Sequence, residues 1–574
     1  MSVLNISARE WILDESGNLK RLLEPETWQK IPLLNANSVQ NFKDGTIIRF
    51  RGMVQDMSGT EYYLEQYQVI NCTTNEISMR SGKYCDEAVR NQDEKIDLGS
   101  NIHKPSERQL YVITSIPAIN SWAQELEKGL HAIPAATQQH ISSSHKRRID
   151  EIMDTDDPST SSNVKKVTTS PPGNETSKPC TIVSKEHLLN HPLANQESKV
   201  CHMRVYKDSK SLKLNDVCDF VGFLSISSVD DENDEDELIN QMEFQTHHPP
   251  GSLVPRIHVI HFKPLLHANP LLDQNMIINS SHFATIKKEL FILLTQLLLG
   301  DTCAAEYLLC NLISEVYLRR ELMPLGKFTL NISNVPKLEN IEYVHEVYKF
   351  LEMMLVKSHY LPLTLENMNT LPIIPRKDYD CDRLTGAILQ LSKNTSVVLD
   401  ETRLQEGKLD AAGVKGVQAI ANAIKKQKVN YDFNYYPIEF DCDIPFVIFS
   451  EGKSMLPSDV HIPLKPDDQC RDTFSEILEA ARHFLKPELL QDIRKYLTEA
   501  RLLNYEMSDN VQELVQQEFV NMRQNDGNVT ADDLHSLLVL ARLVCISEGK
   551  TTLDADCWQR ACQMEKERKS RLSK

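Results

Sequence analysis

The chain has 574 residues, with 63 Lys plus Arg against 81 Asp plus Glu, so its formal net charge is 63 − 81 = −18. That length holds two to four domains of common size, and 41% hydrophobic with 25% charged residues places it in the soluble globular class. No whole-chain positive field draws it to nucleic acid, which moves the weight toward protein partners while leaving a local basic groove open.

In chain order, the opening MSVLNISAREW lacks a basic flank ahead of an apolar core, which predicts no signal peptide. The region 1–132 reads as β-rich. TIIRFRGMVQDM and EYYLEQYQVIN alternate β-branched and aromatic residues, and Ser58-Gly59-Thr60 between them predicts a hairpin. RQLYVITSIP adds a further strand. Residues 133–199 are rich in Ser, Thr, Pro, Asn and Gln and hold too little apolar surface to offset the entropy of ordering, so a disordered linker is expected. Inside it, Lys146, Arg147 and Arg148 with Lys165 and Lys166 resemble a bipartite nuclear-import address, the alternative being a solvated charge cluster.

Strands resume over 200–279 in HMRVYKDS, DVCDFVGFLSIS and RIHVIHF. The acidic run Asp230 to Glu237 reads as an exposed loop. His258 and His261, three apart in a strand, fall on opposite faces and are not expected to ligate a metal. From Ser280 the chain turns helical, with Ser280-Ser281 placed to cap HFATIKKELFILLTQLLLG. The apolar LFILLTQLLLG is too short to span a bilayer and is broken by Thr295 and Gln296. AAEYLLCNLISEVYLRR continues as a buried helix. GKFTLNISNV, TSVVLDE and IPFVIFSE read as buried strands between helices, which argues for a parallel sheet over 280–465. Helices alone are expected over 466–574. Thirteen cysteines with no CxxC pair point to a reduced, intracellular chain without a disulfide scaffold or zinc ribbon.

The octet GDTCAAEY, Gly300 to Tyr307, raises the question of nucleotide chemistry. A phosphate loop needs glycines for close backbone approach, a helix N-terminus, a lysine for the outer phosphates and a hydroxyl for Mg²⁺. LLLGDTCAAEYLL is similar to that region of the minichromosome maintenance helicase subunits, Gly-Asp-Pro-Gly-Thr-Ala-Lys-Ser. Here Gly300 and Asp301 are kept, while Cys303 replaces the second glycine, Glu306 the lysine and Tyr307 the hydroxyl residue. At an effective dielectric near 20, unit charges about 4 Å apart interact by roughly 4 kcal/mol, so Glu306 would repel a triphosphate. The plainer reading is an acid in the first turn of a helix.

Asp400-Glu401 ends the strand TSVVLDE, where AAA+-type ATPases hold a metal and polarise water; many strands also end in acids. In VTADDLHSLLVLARL the position of a phosphate-sensing arginine is Asp532, with Thr530 as a helix cap. SMLPSDVHIPL stands where an arginine-finger segment would follow IPFVIFSE. These three losses of positive charge argue against catalysis and against any bound cofactor or metal.

FKDGTIIRFRGMVQDM, EYYLEQYQVIN, LKLNDVCDFVGFLSIS, LLLGDTCAAEYLLCNLIS and PLGKFTLNIS resemble the minichromosome maintenance (MCM) complex-binding protein family over nearly the whole chain. The resemblance implies a nuclear, non-catalytic partner of MCM helicase subunits. It also implies a role in assembling and dismantling their hexamer, and in sister-chromatid cohesion. Chromatin association would then be indirect. The implied fold is an OB-like β-rich N-terminal part with a disordered insertion, then a degenerate AAA+-like α/β domain with a helical lid. Two rivals remain: an active AAA+ ATPase, and a DNA-binding OB-type factor using Arg49 and Arg51 with Tyr62 and Tyr63.

Overall fold

In the computed structural model the described residues are 3–91, 93–97, 101–132, 183–193, 198–206, 212–227, 241–320, 323–507, 509–525 and 530–572. The import candidates Lys146, Arg147, Arg148, Lys165 and Lys166, the acidic run Asp230 to Glu237 and most of the expected linker lie outside them. The architecture is mixed α/β, with 17 α-helices among the described residues.

The N-terminal sheet is built on β1 (Ile47–Asn71), 25 residues long. The expected hairpin at Ser58-Gly59-Thr60 is therefore corrected: the strand runs straight through. Its antiparallel partner β2 (Lys104–Thr114) pairs on both sides of that tripeptide, from Met53↔Thr114 to Gln66↔Lys104, with a register shift between Met57 and Thr60. The Gln109 side chain donates to the Ser58 carbonyl at 2.5 Å, filling the gap. The small residues mark a bulge where a turn was expected.

The ring continues through β3 (Val200–Val205), β4 (Val217–Ser225) and β5 (Arg256–Pro264). Spatial order is β1-β2-β3-β5-β4, and β4 returns to β1, Ile47↔Phe223 to Met53↔Val217. Only β3–β5 is parallel. Five strands thus close a barrel, and strands from 1–132 and from 200–279 share it. Phe50, Val54, Ile113, Met203, Phe220 and Ile257 fill its interior. Within the expected linker, residues 183–193 are described, and Asn190 bonds the Gly386 N–H at 2.8 Å, tying this stretch to the second half.

The second half opens with α1 (Phe283–Leu297) and α2 (Thr302–Leu312). Asn279, not the serines, caps the chain entry, through a single turn over Ser280–His282. The helix expected to run on to Arg320 stops at Leu312, and Leu318–Arg320 is a short strand. A five-stranded sheet follows, made of β6 (Leu330–Ser333), β7 (Ser358–Pro362), β8 (Ser396–Asp400), β9 (Phe446–Phe449) and β10 (Val460–Pro463). Its order is β7-β8-β9-β6-β10 and every pairing is parallel, as the alternation of strands and helices predicts. Between β6 and β7 lies α3 (Tyr343–Met354). The helices beyond Pro463 include α4 (Ala531–Ser547) and α5 (Ala555–Leu572). Their apolar faces share one core with α1, α2 and the sheet, through Leu540, Val544, Trp558 and Met564.

Candidate functional site: the Gly300 corner and the sheet edge

The leucine run that leads into the octet is helical, so the octet joins helix to helix. A phosphate loop joins strand to helix. At the end of α1 the Gly300 N–H bonds the Thr295 carbonyl at 2.8 Å, and Gly300 sits at φ +85°. Leu299, at φ +56° with its N–H on the Gln296 carbonyl at 3.1 Å, holds the left-handed position of this helix C-terminal cap, and Gly300 follows it. Asp301 then caps α2 by accepting the Ala304 N–H at 3.1 Å. A helix N-terminus attracts anions, and here the chain's own carboxylate occupies it.

Asp301 has further duties. It accepts the Lys465 N–H at 2.9 Å, just past β10, and pairs with Arg571 of α5 at 2.6 Å. Both side chains are buried, 1% and 5% exposed. Burial pulls the Arg571 guanidinium down, and its hydrogen bonds to Asp301 and Glu567 more than reverse this. Cys303 is buried and its thiol is pushed up to about 12 by burial. Glu306 accepts from Arg560 of α5 at 2.9 Å. Tyr307 is buried against Phe328, ring centroids 6.2 Å apart, and its hydroxyl donates to Glu565 of α5 at 3.3 Å. Three octet positions therefore read one partner, α5, which also sinks Trp558 and Ala561 into the core.

In an open parallel sheet, ligands favour the carboxyl ends of strands at the switch point. The connection after β6 runs to β7 at one edge, and that after β9 runs to β10 at the other, so the switch lies between β9 and β6. The strand–turn–helix unit there is β6, residues 334–342 and α3, a turn without glycine. Ser450 donates to the Asn331 side chain at 3.1 Å across the gap, and Lys337 is paired with Glu451 at 3.0 Å. The sequence motif thus pointed to the wrong connection.

Asp400 and Glu401 do stand at a carboxyl end, that of β8, and both are buried. Asp400 accepts the Tyr360 hydroxyl at 2.6 Å and the Thr402 hydroxyl at 2.6 Å. Glu401 accepts the Ser454 hydroxyl at 2.8 Å, and burial pushes its carboxyl up. Ser454 belongs to the segment expected to lack a finger. Three strand spacings, roughly 14 Å, separate β8 from β10 and the Asp301 corner. Asp532 is exposed at the start of α4. With Tyr307, Asp459, Asp533 and Arg568 it lines a cleft of about 170 Å³. Thr530 and Asp533 form a capping box. The structure brings Tyr307 and Asp532 together and leaves the Asp400-Glu401 pair apart.

The barrel arginines are not a surface. Arg49 pairs with Asp219 at 3.6 Å and Arg51 with Glu127 at 2.6 Å, with both arginines' side chains at most 15% exposed. Tyr63 packs edge-on to Tyr206 at 5.1 Å, and Tyr62 alone is exposed. His258, buried, pairs with Asp86 at 3.2 Å and Tyr206 at 2.7 Å. Among the described residues no set of three or more His, Cys, Asp or Glu could hold a metal ion, and no helix is long and apolar enough to cross a membrane.

Sequence reasoning missed Arg560, Glu565 and Arg571. Arg560 and Arg571 stand eleven residues apart, about three helical turns, hence on one face. That spacing was the available signal.

The model of the mini-chromosome maintenance replisome factor family matches residues 19–572. The mini-chromosome maintenance complex-binding protein of Drosophila melanogaster is 40% identical over 583 residues, covering 97% of this chain and 95% of the relative. Proteins of the same name from Danio rerio and Homo sapiens are 37% and 36% identical, each covering 96% of this chain and 92% of the relative.

Proposed function

The chain belongs to the mini-chromosome maintenance replisome factor family, and from that premise we propose that it binds MCM helicase subunits without catalysis. In this reading it governs assembly, disassembly or unloading of the MCM complex, supports sister-chromatid cohesion and works in the nucleus. The names of its relatives support the binding partner. The observation that carries the non-catalytic part is the switch point of the parallel sheet, where the turn after β6 holds no glycine and its Lys337 is paired with Glu451. A degenerate AAA+-type relation is supported by the parallel sheet with the acid pair Asp400-Glu401 at a strand's carboxyl end. An OB-type relation is supported by the closed five-strand ring.

Such a chain would hold subunits out of a ring by preferring separated over ring-bound partners. Co-expression with each helicase subunit, followed by size exclusion, tests this. A stoichiometric complex with at least one subunit is expected, and failure with every subunit refutes the reading. The DNA-binding alternative has the barrel in its favour, but its arginines, on the outer face of β1, are buried and paired with Asp219 and Glu127. Tight, salt-sensitive binding of single-stranded DNA by the purified chain would reverse that preference.

A further inference from the structure

A cleft of about 370 Å³ opens between the barrel and the α/β half. Its walls are the starts of β4 and of the segment after β5, the end of α3, the loop at Lys393 and the Pro487–Arg501 helix. Four cationic side chains line it: Lys357, Lys393, Arg494 and Arg501. In a chain of net charge −18, none of the four has a carboxylate within 4.0 Å among the described residues.

Their partners are neutral and incomplete. Lys357 donates to the Ser392 hydroxyl at 2.8 Å and to the Lys393 carbonyl. Arg494 spends only Nε, on the Met353 carbonyl at 2.9 Å, and its guanidinium lies 3.9 Å from the Trp122 ring centroid. Arg501 reaches the Leu312 and Asn394 carbonyls, and its Nε has no partner. Asp216 and Glu315 share the wall, and with Asp443 they attract Lys393 and Arg501 only at longer range, their nearer partners being others. Glu315 pairs with Arg542 at 3.4 Å, Asp216 accepts the Lys213 N–H at 2.9 Å, and Asp443 accepts the Val316 N–H at 3.2 Å. Burial holds all three carboxyls above their usual range. Burial, with Arg501 beside it, pushes the Lys357 ammonium down to about 7, and burial takes Arg494 down to about 10. His267, also on the wall, has its imidazole held below the usual range by burial.

Gathered positive charge that makes no direct ion pair in a half-apolar cleft is costly unless an anion completes it. We propose that this cleft binds a phosphate group carried on an apolar body, with Arg494 and Lys393 as its outer contacts and Lys357 and Arg501 behind them. Guanidinium and ammonium donors lining one cleft match a dianion better than a single carboxylate. The volume falls within the ~300–1,000 Å³ of small-ligand clefts and exceeds what a bare phosphate fills. Val217, Leu265 and Leu497 offer the attached body an apolar wall. This site is independent of MCM binding.

Calorimetric titration of the full chain with acetyl-Leu-phosphoserine-Leu-amide, its unphosphorylated form and sodium phosphate tests it. Saturable binding of the phosphotripeptide and not of its parent is expected. Binding of inorganic phosphate with equal affinity also supports the oxyanion site and assigns it to the free ion. Lys393 is exposed, so K393E keeps the fold, and it should weaken binding roughly tenfold. R494Q, checked by circular dichroism, should do the same. Absence of saturable binding up to millimolar ligand, or binding indifferent to both substitutions, overturns the proposal.

Discussion

Replacing Arg571 with alanine isolates the clamp that fills the octet. Arg571 and Asp301 are 5% and 1% exposed at 2.6 Å, so the variant leaves a buried carboxylate without its cation. Breaking a buried pair from one side costs ~3–5 kcal/mol. Asp301 keeps the Ala304 and Lys465 N–H groups, which places the expectation at the lower end, about 3 kcal/mol. The loss should be local, because Trp558, Ala561 and Met564 still anchor the middle of α5. A chain with several cores does not unfold in two states, so native-state hydrogen exchange over 555–572 and 298–305 is the assay. Protection there should fall by about two orders of magnitude, with the barrel amides unchanged. The neutral pair D301N/R571M should recover most of the loss. An R571A variant whose exchange matches the parent within ~0.5 kcal/mol would refute the clamp.

Glu306→Lys restores the charge a phosphate loop needs but sets it against Arg560; a titration with labelled ATP should still show no binding. Its stability cost should stay within ~1 kcal/mol, because Arg560 is 44% exposed. Arg51→Gln should destabilise the barrel by ~2–4 kcal/mol through Glu127 and Asp219, read by native-state hydrogen exchange of the barrel amides. If it instead abolished a salt-sensitive single-stranded DNA affinity at unchanged stability, the reading of that face as buried ion pairs would fail. Lys357 stands at about 7 in the fold against 10.5 for an unburied lysine. The unfolded chain therefore binds more protons between those values, and stability rises with pH through that window. Lys357→Met should flatten this rise, roughly 1–3 kcal/mol for a half-buried side chain, in native-state hydrogen exchange of the surrounding amides at pH 7 and 9, corrected for intrinsic exchange rates.

Periodicity carried most of the secondary structure, because the cores of β6, β8 and β9 and of α1, α2 and α4 are apolar in the pattern their burial demands. It failed where local chemistry has two solutions. Ser58-Gly59-Thr60 suits a turn or a bulge, and only the partner strand Lys104–Thr114, more than forty residues on, decides between them. Gly300-Asp301 suits a strand end or a helix cap, and the lead-in decides: its leucines at 290, 293, 294 and 297 are buried as one helical stripe. The contacts that give the octet its meaning join residues more than 250 positions apart, and no local pattern encodes such a pairing.

The absence of positive charge from the octet has one physical source, and it is occupancy. A phosphate loop must keep its helix N-terminus and its lysine open until a ligand arrives. Here the N-terminus is satisfied by Asp301, the lysine position carries an acid because Arg560 faces it, and the hydroxyl position carries a ring that packs on Phe328. Asp533 closes a capping box and faces Lys569 of the same α5 at 3.5 Å. Changing any one residue therefore cannot make a nucleotide site, since the octet joins two helices and α5 covers it. The charge pattern that reads in sequence as a catalytic site stripped of its cations is, in the fold, the complementary half of a terminal helix rich in arginine.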